Sequence, residues 1–303
     1  TVIEGQIVEE GNVAIGAKVF SDIIRKLPSE QVEINVNENY QLFIKCGKAK
    51  FNIAAKPTDE FPYLPQIVKE KHVEISQFTL KDIIRQTVFS ISDNENTKVM
   101  TGELFEITDN KLKVVSLDGH RISIRNVELN NSYDNISVII PGKTLIEINK
   151  ILNGGVDDIV KIYFTDKHIL FEFENTVVLS RLIEGEYYKI DKMLSSDYET
   201  KITVNKKEII TQESEKKPVI IDIKDNSMGL AMNSSIGSMD EEIDAVKEGK
   251  DILIGFNPRF LIDALRVIDD EEITLYMINP KAPCFIRDKD ESYIYLILPV
   301  NFN

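Results

Sequence analysis

The sequence predicts an α+β protein built as an array, in which a unit of one strand, one helix and three further strands is repeated. Three observations predict it. A short helical pattern recurs at a near-constant interval. Runs of alternating apolar and polar residues fill the intervals. A second, longer period groups the units in pairs.

The helical pattern occurs in Lys18–Arg25, Leu80–Arg85, Lys143–Lys150 and Arg259–Arg266. Each segment carries apolar residues at helical spacing, such as Leu80, Ile83 and Ile84, with Lys or Arg on the opposite face. Lys81 follows Lys18 by 63 residues, and Lys143 follows Lys81 by 62. A weaker copy at Val204–Ile210 places Lys207 64 residues after Lys143, whereas Arg259 comes only 52 residues later. The missing ten or so residues make Ile210-Thr211-Gln212 read as a junction that skips part of a unit whose helix should continue there.

Strands are expected where apolar and polar residues alternate with β-branched and aromatic enrichment. Gln31–Val36, Gln41–Cys46 and Ala49–Ala54 form one set, with turns at Asn37-Glu38-Asn39 and Gly47-Lys48. Ile159–Phe164, His168–Phe173 and Thr176–Arg181 repeat the order, as do Glu272–Met277, Cys284–Ile286 and Tyr293–Leu298. Ser137–Ile140 and Asp251–Phe256 are the strands that lead into helices. Sheets on one side and helices on the other give a two-layer arrangement.

The longer period relates Pro57–Leu64 to Ile183–Ile190, since Tyr187 lies 126 residues after Phe61. Both segments read as connectors between paired units. The pairs are then residues 73–198 and 199–303, and residues 1–72 hold the second half of a pair. The period predicts a natural chain longer by roughly one unit at its N-terminus.

Composition bounds the function. With 43% apolar residues in 303, the chain can bury substantial cores. No stretch approaches the roughly 18 continuous apolar residues of a membrane span. Two distant cysteines, Cys46 and Cys284, and only three histidines supply no metal-ligand spacing, and they fit a reduced, cytoplasmic protein. No metal and no cofactor is expected. The net charge of −14 argues against nucleic acid as an average. The bases, however, recur on the repeated helices, while acids crowd Asp240-Glu241-Glu242 and Asp269-Asp270-Glu271-Glu272. An acidic body with one basic surface can still hold DNA.

Leu117–Ile122, Gly255–Leu265 and Leu296–Val300 resemble the bacterial sliding clamps, the β subunits of DNA polymerase III. Thr58–Leu64 and Thr101–Glu106 resemble them too. The resemblance implies the DNA clamp fold: three similar domains of two units each, and two subunits closed head to tail into a ring with helices inside and sheets outside. Duplex DNA passes through the ring without sequence readout. The chain is expected to be a non-catalytic processivity subunit and a homodimer. Its expected partners are the replicative polymerase subunit, the clamp loader, and other polymerases and repair proteins that carry short linear motifs.

Two sites follow from the resemblance. The DNA-facing helices would present Lys18, Arg25, Lys26, Lys81, Arg85, Lys143, Lys150, Lys207, Arg259 and Arg266. The partner-peptide pocket would be walled by Met100, Leu117, Gly119, His120, Arg121, Ile122, Tyr188, Lys192, Met193, Asn257, Phe260, Pro283, Leu296, Leu298, Pro299 and Val300. Apolar walls take up anchors, and Arg121 and Asn257 are expected to hold backbone or polar groups. Two or three Leu- or Phe-sized anchors contribute ~1.5–3 kcal/mol each before ordering costs, which suits roughly micromolar exchange. Tyr188 stands where the family commonly has proline, which would narrow the groove or change partner preference.

Other readings are weaker. Asp118 and His120 as an orienter and general base lack a third converging group, and an Asp-Gly turn more often shapes a loop. No phosphate loop or serine nucleophile motif occurs. Asp240–Asp244 lacks the glycine and ligand spacing of a calcium loop. The main alternative is a repeat-built interaction scaffold that uses the same groove and never encircles DNA.

Overall fold

The computed structural model describes residues 1–303 except 29–30, 60, 62–64, 66, 195–196, 210–216, 235–236, 289 and 303. It divides into two compact units, Val2–Gln66 and Ile67–Asn303 together with Thr1.

The smaller unit runs β1 (Ala14–Ile15), α1 (Ala17–Ile24), β2 (Val32–Val36), β3 (Gln41–Cys46) and β4 (Ala49–Lys56), the expected order of one strand, one helix and three strands. Its antiparallel sheet has the order β1-β4-β3-β2. Side chains alternate along β3, so that Leu42, Ile44 and Cys46 are buried and Gln41, Phe43 and Lys45 exposed. Asn37 Oδ1 closes the β2–β3 turn by accepting from the N–H groups of Asn39 (3.1 Å) and Gln41 (2.9 Å).

The larger unit opens with β5 (Val73–Ser76), α2 (Gln77–Thr87), β6 (Gly102–Leu117) and β7 (Arg121–Pro141). It continues with α3 (Gly142–Ile151), β8 (Ile159–Phe164), β9 (His168–Phe173) and β10 (Thr176–Arg181). The last part holds β11 (Thr200–Asn205), β12 (Val219–Lys224), β13 (Ser227–Ser234), β14 (Gly237–Gly249) and β15 (Ile252–Phe256). It ends with α4 (Pro258–Val267), β16 (Glu272–Met277), β17 (Cys284–Arg287) and β18 (Tyr293–Ile297).

Two departures from the expected repeat stand out. In the second copy, the last strand of one unit and the leading strand of the next are a single strand, β7, of 21 residues. It stays paired with β6 from Leu117↔Ile122 to Gly102↔Pro141 because irregularities between Ile107 and Lys111 absorb the register change. In the fourth copy, the expected helix around Lys207 is one 3₁₀ turn, Lys206–Glu208, started by Asn205 Oδ1 accepting from the Lys207 N–H. The expected helix continuation and the junction at 210–212 lie outside the described residues. So does part of the Pro57–Leu64 connector. The second connector, Ile183–Ile190, belongs to no strand or helix and bends at Gly185.

The helices bury their apolar stripes as the spacing requires. Leu80, Ile83 and Ile84 of α2 share one core with Leu145 and Ile148 of α3, and with Phe105, Val160 and Phe171 from the strands. Leu261, Ala264 and Leu265 of α4 pack on Ile221, Ile254, Leu275 and Tyr295. Each such Leu or Ile contributes about 1.5–3 kcal/mol by leaving water. Ser76 caps α2 by accepting from the Thr79 N–H (3.0 Å).

One pairing positions the site. β18 lies antiparallel to β7, from Tyr293↔Arg125 to Ile297↔Arg121. A ten-stranded sheet, β15-β12-β13-β14-β11-β16-β17-β18-β7-β6, therefore runs unbroken from β6 and β7 through the strands of the C-terminal repeats to β15.

Candidate partner-binding groove and DNA-facing helices

The candidate groove is built around the β6–β7 turn. Asp118 Oδ1 accepts from the N–H groups of His120 (2.9 Å) and Arg121 (3.1 Å), and Gly119 takes φ +91°, a left-handed conformation that a side chain would strain. The turn exposes His120 and sends Arg121 inward, where the residue is only 6% exposed.

Arg121 is held from three sides. Nε donates to Asp118 Oδ2 (2.9 Å), Nη1 to Asp263 Oδ2 (2.7 Å) and Nη2 to the Phe89 carbonyl (2.6 Å). Its guanidinium lies 4.3 Å over the Phe260 ring. Burial opposes the charge, but Tyr295, Asp263 and Asp118 outweigh it and hold the pKa above the usual arginine value. In the free chain Arg121 is thus a buried support with each of its three guanidinium nitrogens engaged.

On that support stands the half-buried Phe260, with His120 stacked at 6.1 Å between ring centres. Tyr295 Oη donates to the Phe260 carbonyl (2.8 Å). The C-terminal segment folds over the same place, since the Leu298 N–H donates to the His120 carbonyl (2.9 Å) and the Val300 N–H to Gly255 (2.8 Å). Beneath lies an apolar cluster of Leu117, Ile122 and Leu296, with Met100 and Leu298 at its margin. Asn257 Oδ1 accepts from the Arg259 N–H (3.0 Å) and so starts α4. Its oxygen serves as a cap.

The remaining candidates are dispersed. Lys192 and Met193 are exposed on a short turn in which the Met193 N–H donates to Ile190 (2.7 Å). Pro283 and Pro299 are half-buried. Tyr188 is 48% exposed and lines a separate cavity of about 640 Å³ with the connector and parts of β6 and β7. That cavity shares no other residue with the groove candidates. Sequence reasoning missed this cavity, and also Phe89 and Asp263 as partners of Arg121.

The basic candidates divide in the same way. Lys18, Arg25, Lys26, Lys143, Lys150, Arg259 and Arg266 are exposed on or beside α1, α3 and α4. Lys150 also pairs with Glu147 (2.8 Å). Lys81 is half-buried and donates to the Leu152 carbonyl (3.0 Å). Arg85 donates to Asp82 (2.5 Å), Asp269 (2.7 Å) and the Val267 carbonyl (3.1 Å), tying α2 to the exit of α4. Lys207 sits on the 3₁₀ turn and pairs with Glu271 (3.2 Å). Of the ten, Lys81 and Arg85 are half-buried and engaged within the fold, while Lys207 stands exposed on a 3₁₀ turn rather than on an α-helix.

No group of three or more His, Cys, Asp or Glu among the described residues is arranged to hold a metal ion. No helix among them is long and apolar enough to cross a membrane.

The repeated units, the continuous sheet and this groove define a DNA clamp. Family models of the DNA polymerase III beta subunit match the chain throughout: the N-terminal domain at residues 1–65, the central domain at 74–189 and the C-terminal domain at 192–301. The chain is 33% identical to the beta sliding clamp of Staphylococcus aureus over 97% of its own length and 81% of that protein. It superposes on a putative DNA polymerase III beta subunit from Eubacterium rectale with a TM-score of 0.93 and 58% identity, covering 100% of this chain and 85% of that one. The Bacillus subtilis sliding clamp gives a TM-score of 0.91 and 34% identity over 98% and 82% of the two chains. The chain belongs to the DNA polymerase III beta subunit family. Its function is that of the sliding clamp, a non-catalytic processivity factor in bacterial DNA replication. The N-terminal match takes in residues 1–65 as they stand, and it gives no support to the expected missing unit of about 60 residues.

Proposed function

We propose that two copies of the chain close head to tail around duplex DNA in the bacterial cytoplasm, with clamp domains at 1–72, 73–198 and 199–303. The exposed bases of α1, α3 and α4, Lys143 and Arg259 among them, would meet the phosphates without reading bases. Polymerases, the clamp loader and repair proteins would dock apolar anchors on the platform of His120 and Phe260 and into the margin formed by Met100, Leu298 and Val300. The observation that carries the reading is this platform, an exposed His120 ring stacked on a half-buried Phe260 over a buried guanidinium, next to apolar side chains at the junction of β7 and β18. Light scattering combined with small-angle scattering tests the ring. A dimer with the profile of a hollow ring is expected, and a compact monomer would favour the interaction scaffold instead.

A further inference from the structure

The cavity beside the connector has no role in the groove just described. Its floor is apolar: Leu104, Ile139 and Ile183 line it and belong to the same core cluster as Leu117, Ile122 and Leu296 beneath the groove. Its wall is a segment outside every strand and helix, bent at Gly185, whose backbone N–H and C=O groups from Glu184 to Lys189 have no backbone partner among the described residues. Unpaired backbone groups beside a cavity are available to hydrogen-bond an incoming chain.

The rim selects the chemistry of that chain. Lys113 is engaged by Asp191 (3.1 Å) and Glu106 (3.9 Å), and Lys189 by Glu186 (3.4 Å). Asp166 and Glu184 also line the cavity and have no ion pair among the described residues. The rim is therefore acidic in balance, with two carboxylates left over. Asp191, which lines the cavity, is followed directly in the chain by the groove candidates Lys192 and Met193.

We infer that this cavity is a second docking surface, which takes the basic, extended stretch flanking the apolar anchor of a partner's peptide. The inference rests on the groove reading above and adds to it a preference for lysine or arginine outside the anchor. Bulk at Tyr188 then shapes the flank's path rather than the anchor's seat.

Fluorescence anisotropy with three labelled peptides tests it: a polymerase-derived clamp-binding peptide, and the same peptide with three lysines added at either end. Against the wild-type chain at low salt, one extended peptide should bind about three- to tenfold more tightly than the bare one. The gain should vanish in an Asp166→Lys, Glu184→Lys double variant and at high salt, while the bare peptide binds both proteins equally. The double variant remains net negative, so a gain that persists in it would be general attraction to an acidic protein and would overturn the proposal. So would a wild-type protein that gains nothing from either extension while still binding the bare peptide; the groove would then stand alone. A bare peptide that fails to bind the wild type would remove the groove reading and this inference with it.

Discussion

The Arg121 guanidinium lies 4.3 Å over the Phe260 ring while Asp118, Asp263 and the Phe89 carbonyl hold its nitrogens. The two residues therefore divide the work: Phe260 offers a face to a partner, and Arg121 fixes that face. Phe260→Ala should weaken a polymerase-derived peptide by tenfold or more with a modest loss of stability, as truncating an aromatic anchor does. Arg121→Ala should instead destabilise the fold by about 2–5 kcal/mol, because two mostly buried carboxylates lose their partner. Denaturant melts beside peptide titrations separate the two. Equal loss of binding without loss of stability in both variants would make Arg121 a contact residue.

The bases divide in a similar way. Lys143→Glu with Arg259→Glu should reduce processive synthesis by the loaded clamp and leave its melting curve nearly unchanged, since both side chains are exposed. Each phosphate that the variant no longer neutralises should flatten the salt dependence of DNA binding by about 0.9 in log–log slope. Arg85→Ala should do the reverse, because it removes the tie from α2 to Val267 and Asp269. Unchanged processivity in the double reversal would place the DNA elsewhere.

The contrast marks what was legible in the sequence. Helix positions were legible because an apolar stripe such as Leu80, Ile83 and Ile84 has one period whatever it packs against. The strand pattern of β3 was legible for the same reason. The fused strand β7 was not, since the polar run Asn130-Asn131-Ser132 reads as a turn, whereas the strand continues past it with β6 pairing resuming on either side at Glu128 and Tyr133. The loss of free charge at Arg85 was illegible because Asp269 lies 184 residues away. Likewise Arg121 could be placed in the groove by motif, but its burial depends on Asp263, 142 residues distant. Periodicity reports which face a side chain occupies, and says nothing of which distant partner is already waiting there.

Asn257 offers a simpler case. Its side chain caps α4, three residues before Phe260. Asn257→Ala should cost about 1 kcal/mol, and Asn257→Asp should restore it because aspartate caps equally well. If the cap acts on binding through the seat of Phe260, peptide affinity should follow the same order across the two variants. Affinity lost in both variants with stability restored by aspartate would point instead to a direct contact from the Asn257 amide.

Glu103 makes stability fall with pH. The residue is fully buried on β6, and burial pushes its carboxyl from 4.5 up to about 8, against a smaller downward pull from Thr87. The Thr87 hydroxyl is within bonding distance of both the Ile83 carbonyl (2.8 Å) and Glu103 Oε2 (2.9 Å), yet it has a single hydrogen. A protonated Glu103 resolves the conflict by supplying the second. Between pH 4.5 and 8 the folded state keeps a proton that the unfolded state has released, so stability declines across that window and levels off above it. The decline should be on the order of 3–5 kcal/mol. Glu103→Gln keeps the shape and can donate to Thr87, so it should remove this decline and raise the melting temperature at pH 9 more than at pH 5. Melting curves of both proteins from pH 5 to pH 9 check this, and parallel curves would mean that Glu103 is charged in the folded chain.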